Sequence, residues 1–263
     1  MRCKPLVALG LSLALAGCVT VGDKNATPSP PIPKTSKADQ RKDAARVHTD
    51  LAQHYLAQGD LENALAKLKL ALQFDPNYAP AHTVIAYVYE RINKLPEAEA
   101  NYRAAVALEP DKGAPNNNLG QFLCHTGKLQ ESLGYFQKAV ADPFYATPDV
   151  ALTNEGICQL QMGNQAGAEA SFRDAIARNP NNGEALFHLA DVLYRQGDAF
   201  RARAFLQRFD ALGTVNAGAL KLGYDIESRL GNMDAAQTYL RRLQSQFPDS
   251  EQARALKNSV SSP

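Results

Sequence analysis

The sequence predicts an all-α fold: a right-handed superhelical solenoid of six helix pairs, closed by a C-terminal helix. Three observations predict it. The segments "DPNYAPAH" (75–82), "EPDKGAPN" (109–116) and "NPNNGEAL" (179–186) vary one pattern, and Pro76 and Pro110 stand 34 residues apart. A fixed period of that size marks stacked helical repeats. A column of turn-forming residues keeps the same interval but for one step of 36: Gly59, Asn93, Gly127, Gly163, Gly197 and Gly231. Each can end a helix at positive φ. Finally, a small residue recurs four places before a bulky one, which lets two helices approach at one level and interlock at the next.

The chain begins with a segment that stands apart from this pattern. Residues 1–17, "MRCKPLVALGLSLALAG", carry Arg2 and Lys4 and then an apolar run from Leu6 to Ala16. The run is too short for a permanent membrane span and reads as a secretory signal peptide. It ends in "LAGC" (15–18), which resembles the lipobox of bacterial lipoproteins. That resemblance implies cleavage before Cys18 and lipidation of Cys18. Each buried CH₂ contributes about 0.8 kcal/mol, so several acyl chains would anchor the protein permanently. Val19 at the next position implies export to the outer membrane rather than retention at the inner one. Residues 18–41 follow as a tether in which Pro28, Pro30, Pro31 and Pro33 lie among Ser, Thr and Lys. At about 3.1 Å per residue it would reach up to roughly 60 Å. Without the signal, 26 basic residues face 27 acidic ones, a net charge of −1. Such a balance gives no case for nucleic acid or for a basic membrane-binding face.

The body, 42–263, divides into repeats at about 45–78, 79–112, 113–148, 149–182, 183–216 and 217–250. The period of 34 is that of a tetratricopeptide repeat. Position 8 of the first helix is Ala52, Ala86, Gly120, Gly156 and Ala190, with Tyr224 the one departure. Position 20, in the second helix, is Ala64, Ala98, Ser132, Ala168, Ala202 and Ala236. Position 24 is Leu68, Tyr102, Phe136, Phe172, Leu206 and Leu240. Repeat 3 is two residues longer than the period, through "ADPFYATPDV" (141–150), and repeat 5 ends in "LGTVNAG" without its proline. Residues 249–260 read as a helix covering the last apolar face, which a solenoid needs for solubility.

Two of the four cysteines fall inside the repeats, Cys124 at position 12 of repeat 3 and Cys158 at position 10 of repeat 4. First helices of successive repeats run parallel, so a two-position offset, about 200° of helix, turns one side chain forward and the other back. Two readings are open: a pair of small buried hydrophobes, or a disulfide stapling repeat 3 to repeat 4, which an oxidising periplasm favours.

Catalytic chemistry is not expected. The histidines (His48, His54, His82, His125 and His188) are scattered, and no metal, phosphate or nucleophile motif is present. No cofactor and no small-molecule substrate are expected, only a protein partner. In this repeat family positions 2, 5, 9, 12 and 13 of the first helix line a concave groove. They place Leu56, Thr83, Tyr87, Asn117, Gln121 and Ile157 there as candidate partner contacts, with Tyr87 the expected anchor. Thr49 and Gln53 occupy the places where repeats that clamp a C-terminal carboxylate carry Lys and Asn, so that mode is not expected. An extended segment with alternating apolar side chains suits the lining better.

Residues 116–180, with "FLC", "DPFY" and "NEGIC" in sequence, resemble the type IV pilus biogenesis lipoprotein family called PilF or PilW. The lipobox, tether, six repeats and chain length agree with it. The resemblance implies a pilotin, an outer-membrane lipoprotein on the periplasmic face that binds the pilus secretin and promotes its localisation and multimerisation. Two alternatives stand beside it: a general lipidated scaffold recruiting peptidoglycan enzymes or proteases, and a component of β-barrel assembly.

Overall fold

The structure, a computed structural model, describes residues 36–260, with side chains to Lys257. The expected signal peptide, the Cys18 lipidation site and the tether as far as residue 35 lie outside the described residues. Within them, thirteen α-helices and no strands are found. They pair as α1 (Lys37–Ala57) with α2 (Leu61–Phe74), α3 (Ala79–Arg91) with α4 (Leu95–Leu108), and α5 (Gly113–His125) with α6 (Leu129–Ala141). The series continues with α7 (Pro148–Gln161) and α8 (Gln165–Arg178), α9 (Gly183–Arg195) and α10 (Ala199–Ala211), and α11 (Ala217–Arg229) and α12 (Met233–Gln246). The last helix is α13 (Glu251–Val260). None of the helices is long and apolar enough to cross a membrane.

The columns read from the sequence are the contacts that build each pair. A Cβ added to Gly156 would stand 2.5 Å from the Phe172 ring, and one added to Gly120 would stand 2.8 Å from Phe136. The small residue of the first helix thus receives the large residue of the second. The turn between them adopts the left-handed conformation throughout, and at Asn93 (φ 59°) it does so without glycine. Asn tolerates that region better than other side chains. Several second helices are capped from the turn, as where Asp60 accepts the Asn63 amide and Asp198 the Arg201 amide.

Three places differ from the expectation. Helix α1 starts at Lys37, five residues before the expected body, because "KADQR" has no apolar period yet continues the helix in solvent. Arg41 Nε there donates to the Phe74 carbonyl at 2.8 Å, satisfying the end of α2. In repeat 6 the departure at Tyr224 is a one-residue shift: Gly223 is the small residue, and a Cβ on it would lie 2.5 Å from Tyr239. Tyr224 turns instead into the cluster of Leu220, Leu243, Ala253 and Leu256 beneath α13. Repeat 5 closes without proline because Gly213 (φ 74°) ends α10.

The two extra residues of repeat 3 form a tied loop. Asp142 accepts the Gly113 amide through Oδ2 (2.8 Å) and the Phe144 amide through Oδ1 (2.9 Å). Those two bonds hold its carboxyl below the ordinary range, and Tyr145 lies flat where any side chain on Gly113 would sit. The core is continuous from Leu152 to Ile226, across repeats 4 to 6. Between repeats 3 and 4 it thins to Cys124, Phe136 and Cys158. At the opposite end, the outward face of α1 leaves Val47 53% and Leu51 37% exposed.

Candidate partner-binding groove

The first helices of repeats 1 to 3 enclose an open cavity of about 430 Å³ lined by Gln53, Leu56, Thr83, Val84, Tyr87, Glu90, Tyr102, Asn118, Gln121 and His125. A second cavity of about 250 Å³ continues it over repeats 3 to 5, through Gln121, Cys124, His125, Phe136, Asn154, Ile157, Gln161 and Glu184. Gln121 and His125 belong to both, so the two form one groove. Of the expected partner contacts, Leu56, Thr83, Tyr87 and Gln121 meet in the first cavity, and Ile157 lies in the second.

Asn117 does not line the groove and is a correction to the expected set. It is 6% exposed, and its Oδ1 accepts from Asn154 Nδ2 at 3.0 Å. Thr49 and Thr153, at the same repeat position, are also buried and return their hydroxyls to the carbonyls of Ala45 and Asp149. The reason is rotational. In repeats 3 and 4 position 5 faces the seam between neighbouring first helices and position 6 (Asn118, Asn154) faces the groove instead, whereas in repeat 2 both Thr83 and Val84 line it. Tyr102 was not foreseen there, since it comes from the second helix; a hydroxyl on the bulky residue of position 24 was the available signal.

Tyr87 is 42% exposed, so it does not pack inside the solenoid. Its Oη accepts from Arg91 Nη1 at 3.0 Å, and the guanidinium lies 5.8 Å from the ring centroid, which fixes the ring's attitude. Beneath it Tyr102 Oη donates to Glu90 Oε2 at 3.1 Å. Burial and the neighbouring Glu90 carboxylate push the Tyr102 phenol up, so it remains a donor. The groove is therefore an apolar floor with amide and hydroxyl groups along its length.

Cys124 and Cys158 meet across the seam between α5 and α7, with Cα atoms 5.7 Å apart, inside the range a disulfide spans. Ser132 Oγ lies 3.0 Å from Cys158 Sγ. Cys124 also touches the groove, since it lines the second cavity. Two of the histidines serve packing: His48 stacks on Phe74 (5.3 Å), and His82 bonds Asn101 and the Pro76 carbonyl (3.0 Å each). Among the described residues no cluster of side chains is suited to a metal ion.

Models of the tetratricopeptide repeat match residues 83–146, 154–217 and 219–250, and a further repeat model matches 52–93. The type IV pilus assembly protein PilF of Pseudomonas aeruginosa is 31% identical over 241 residues, 91% of this chain and 92% of the relative. The chain belongs to the PilF/PilW family. It is a tetratricopeptide-repeat protein of type IV pilus biogenesis. A crystal structure of PilW, described as a widely conserved type IV pilus biogenesis factor, superposes with a TM-score of 0.73 at 34% identity, covering 81% of this chain and 97% of that one. The structure of P. aeruginosa PilF gives 0.77 at 28% identity, covering 84% and 99%. The PilF/PilW likeness thus covers most of the chain.

Proposed function

We propose that the protein is a pilotin: a lipoprotein anchored through Cys18 to the periplasmic face of the outer membrane, which binds the pilus secretin and promotes its localisation and assembly. The full-length likeness to PilF and PilW supports the pilus role. The observation that carries the docking role is the groove of repeats 1 to 3, with a half-exposed, braced Tyr87 above the apolar side chains of Leu56 and Val84. A rigid aromatic with a polar tip is a frequent interface anchor.

Capture of the cognate secretin's periplasmic region tests this reading. The wild-type protein is expected to retain it, and Tyr87→Ala to lose about tenfold or more in affinity, as anchor truncations do, with an unchanged circular-dichroism melt. Equal capture by both proteins would move the docking site off this groove. Absence of capture by the wild type would reject the secretin as partner.

A further inference from the structure

The groove's charge is one-sided. Of the ionisable side chains lining its two cavities, Glu90 and Glu184 are acids, His125 is the single base, and neither lysine nor arginine is among them. The cation at the rim, Arg91, is engaged with Tyr87 through its bond to Oη. Glu90 stands at position 12 of its helix, where the neighbouring repeats carry Leu56 and Cys124. It is half-buried, accepts one hydrogen bond from Tyr102 through Oε2, and forms no ion pair among the described residues. Glu99, Glu169 and Glu227 instead hold cations (Lys128 and Arg103, Arg173, and Arg203), and buried acids that like Glu90 form no ion pair among the described residues, such as Asp149 and Glu155, do not line the groove. Taking a carboxylate partly out of water without a cation costs free energy that a cationic ligand returns.

From this we infer that the groove selects a segment bearing a lysine or arginine beside apolar residues, with Glu90 Oε1 receiving the cation and Tyr87 and Leu56 the apolar neighbours. The inference rests on the groove being the docking face proposed above, and it names what that face reads. Tyr102 supports the geometry, because it occupies Oε2 and leaves Oε1 for the ligand. Acidic segments are disfavoured by the same charge.

Selection of a random dodecapeptide phage library on the immobilised full-length protein tests this directly. Glu90→Gln and Glu90→Lys are run in parallel and Tyr87→Ala serves as background. Glu90→Gln keeps the shape and an acceptor for Tyr102, and the circular-dichroism melt of each variant is checked against wild type. Wild-type protein is expected to enrich peptides with a basic residue adjoining apolar ones. Their affinity should fall on the order of tenfold for Glu90→Gln and fall with added salt, while Glu90→Lys enriches acidic peptides instead. Peptides lacking basic residues, or equally basic peptides from Glu90→Gln, would overturn the inference and leave the groove standing. No enrichment above Tyr87→Ala would overturn the groove and the inference together. Failure of the secretin alone to bind leaves the peptide result intact and rejects only the partner's identity.

Discussion

Glu155 shows how a single side chain sets a pH response in a protein built from repeated parts. It is buried on α7, and burial pushes its carboxyl up, with Asp174 adding to the shift and a hydrogen bond to Gln137 opposing it. An acid whose folded pKa is raised binds its proton more tightly in the native state than in the unfolded chain. Its contribution to stability is therefore greatest below the unfolded value of 4.5 and declines as pH rises through the folded value. Glu155→Gln removes the charge and keeps the shape. The variant is expected to melt higher than wild type at neutral pH, with the difference shrinking as pH falls toward 4.5. Melting curves from acid to neutral pH check this, and an unchanged difference across the range would show that the carboxyl is not strained by burial. The same scale explains where the groove was and was not legible. Tyr87 and Leu56 were legible because position 9 and position 12 are separated by one helical turn and look the same way. Asn117 was not, because one position is about 100° of helix and the seam lies one step from the groove.

At the scale of elements, the junction of α5 and α6 with α7 is the thin point of the core, since the buried apolar cluster there is formed by Cys124, Phe136 and Cys158. A polar bond takes up part of the seam, Asn154 Nδ2 donating to Asn117 Oδ1. The two cysteines stand in this small cluster, toward the opposite ends of α5 and α7 from the tied loop that absorbs the two extra residues. We propose that they form a disulfide in the periplasm; at a sequence separation of 34 residues it would contribute about 2–4 kcal/mol. Cys124→Ser with Cys158→Ser is expected to lower the melting temperature while leaving the far-ultraviolet spectrum intact. Mass spectrometry showing two free thiols in periplasm-expressed protein would sink the pairing. The pair was readable from a two-position offset, whereas the one-residue shift of repeat 6 was not. There Gly223 and Tyr224 are adjacent, and only the facing Tyr239 decides which of them is the small residue.

On the scale of the whole molecule, the solenoid was legible because its long-range contacts are copies of one local rule, each repeat touching its neighbours. What lay outside that rule lay outside the reading: the added turn at the start of α1 has no apolar period to announce it. The proposed anchor acts by location, and its prediction belongs here. Cys18→Ser is expected to leave the repeats folded, with a circular-dichroism melt like the wild type's, and to move the protein out of the outer-membrane fraction. Secretin multimers should then decline or appear in the inner membrane. Normal outer-membrane multimers in that strain would reject the piloting role. The two ends of the solenoid also differ mechanically. Its C-terminal face is closed by α13, while α1 leaves Val47 and Leu51 uncovered, so the first hairpin is held from one side only. A pull entering the body at Lys37 therefore meets the least supported helix pair first and reaches the cysteine seam only after two repeats have given way. The groove straddles those repeats, and a ligand bridging Leu56, Tyr87 and Gln121 would act as a splint. The protein would then resist extension most strongly when its partner is in place and yield most readily when it is empty.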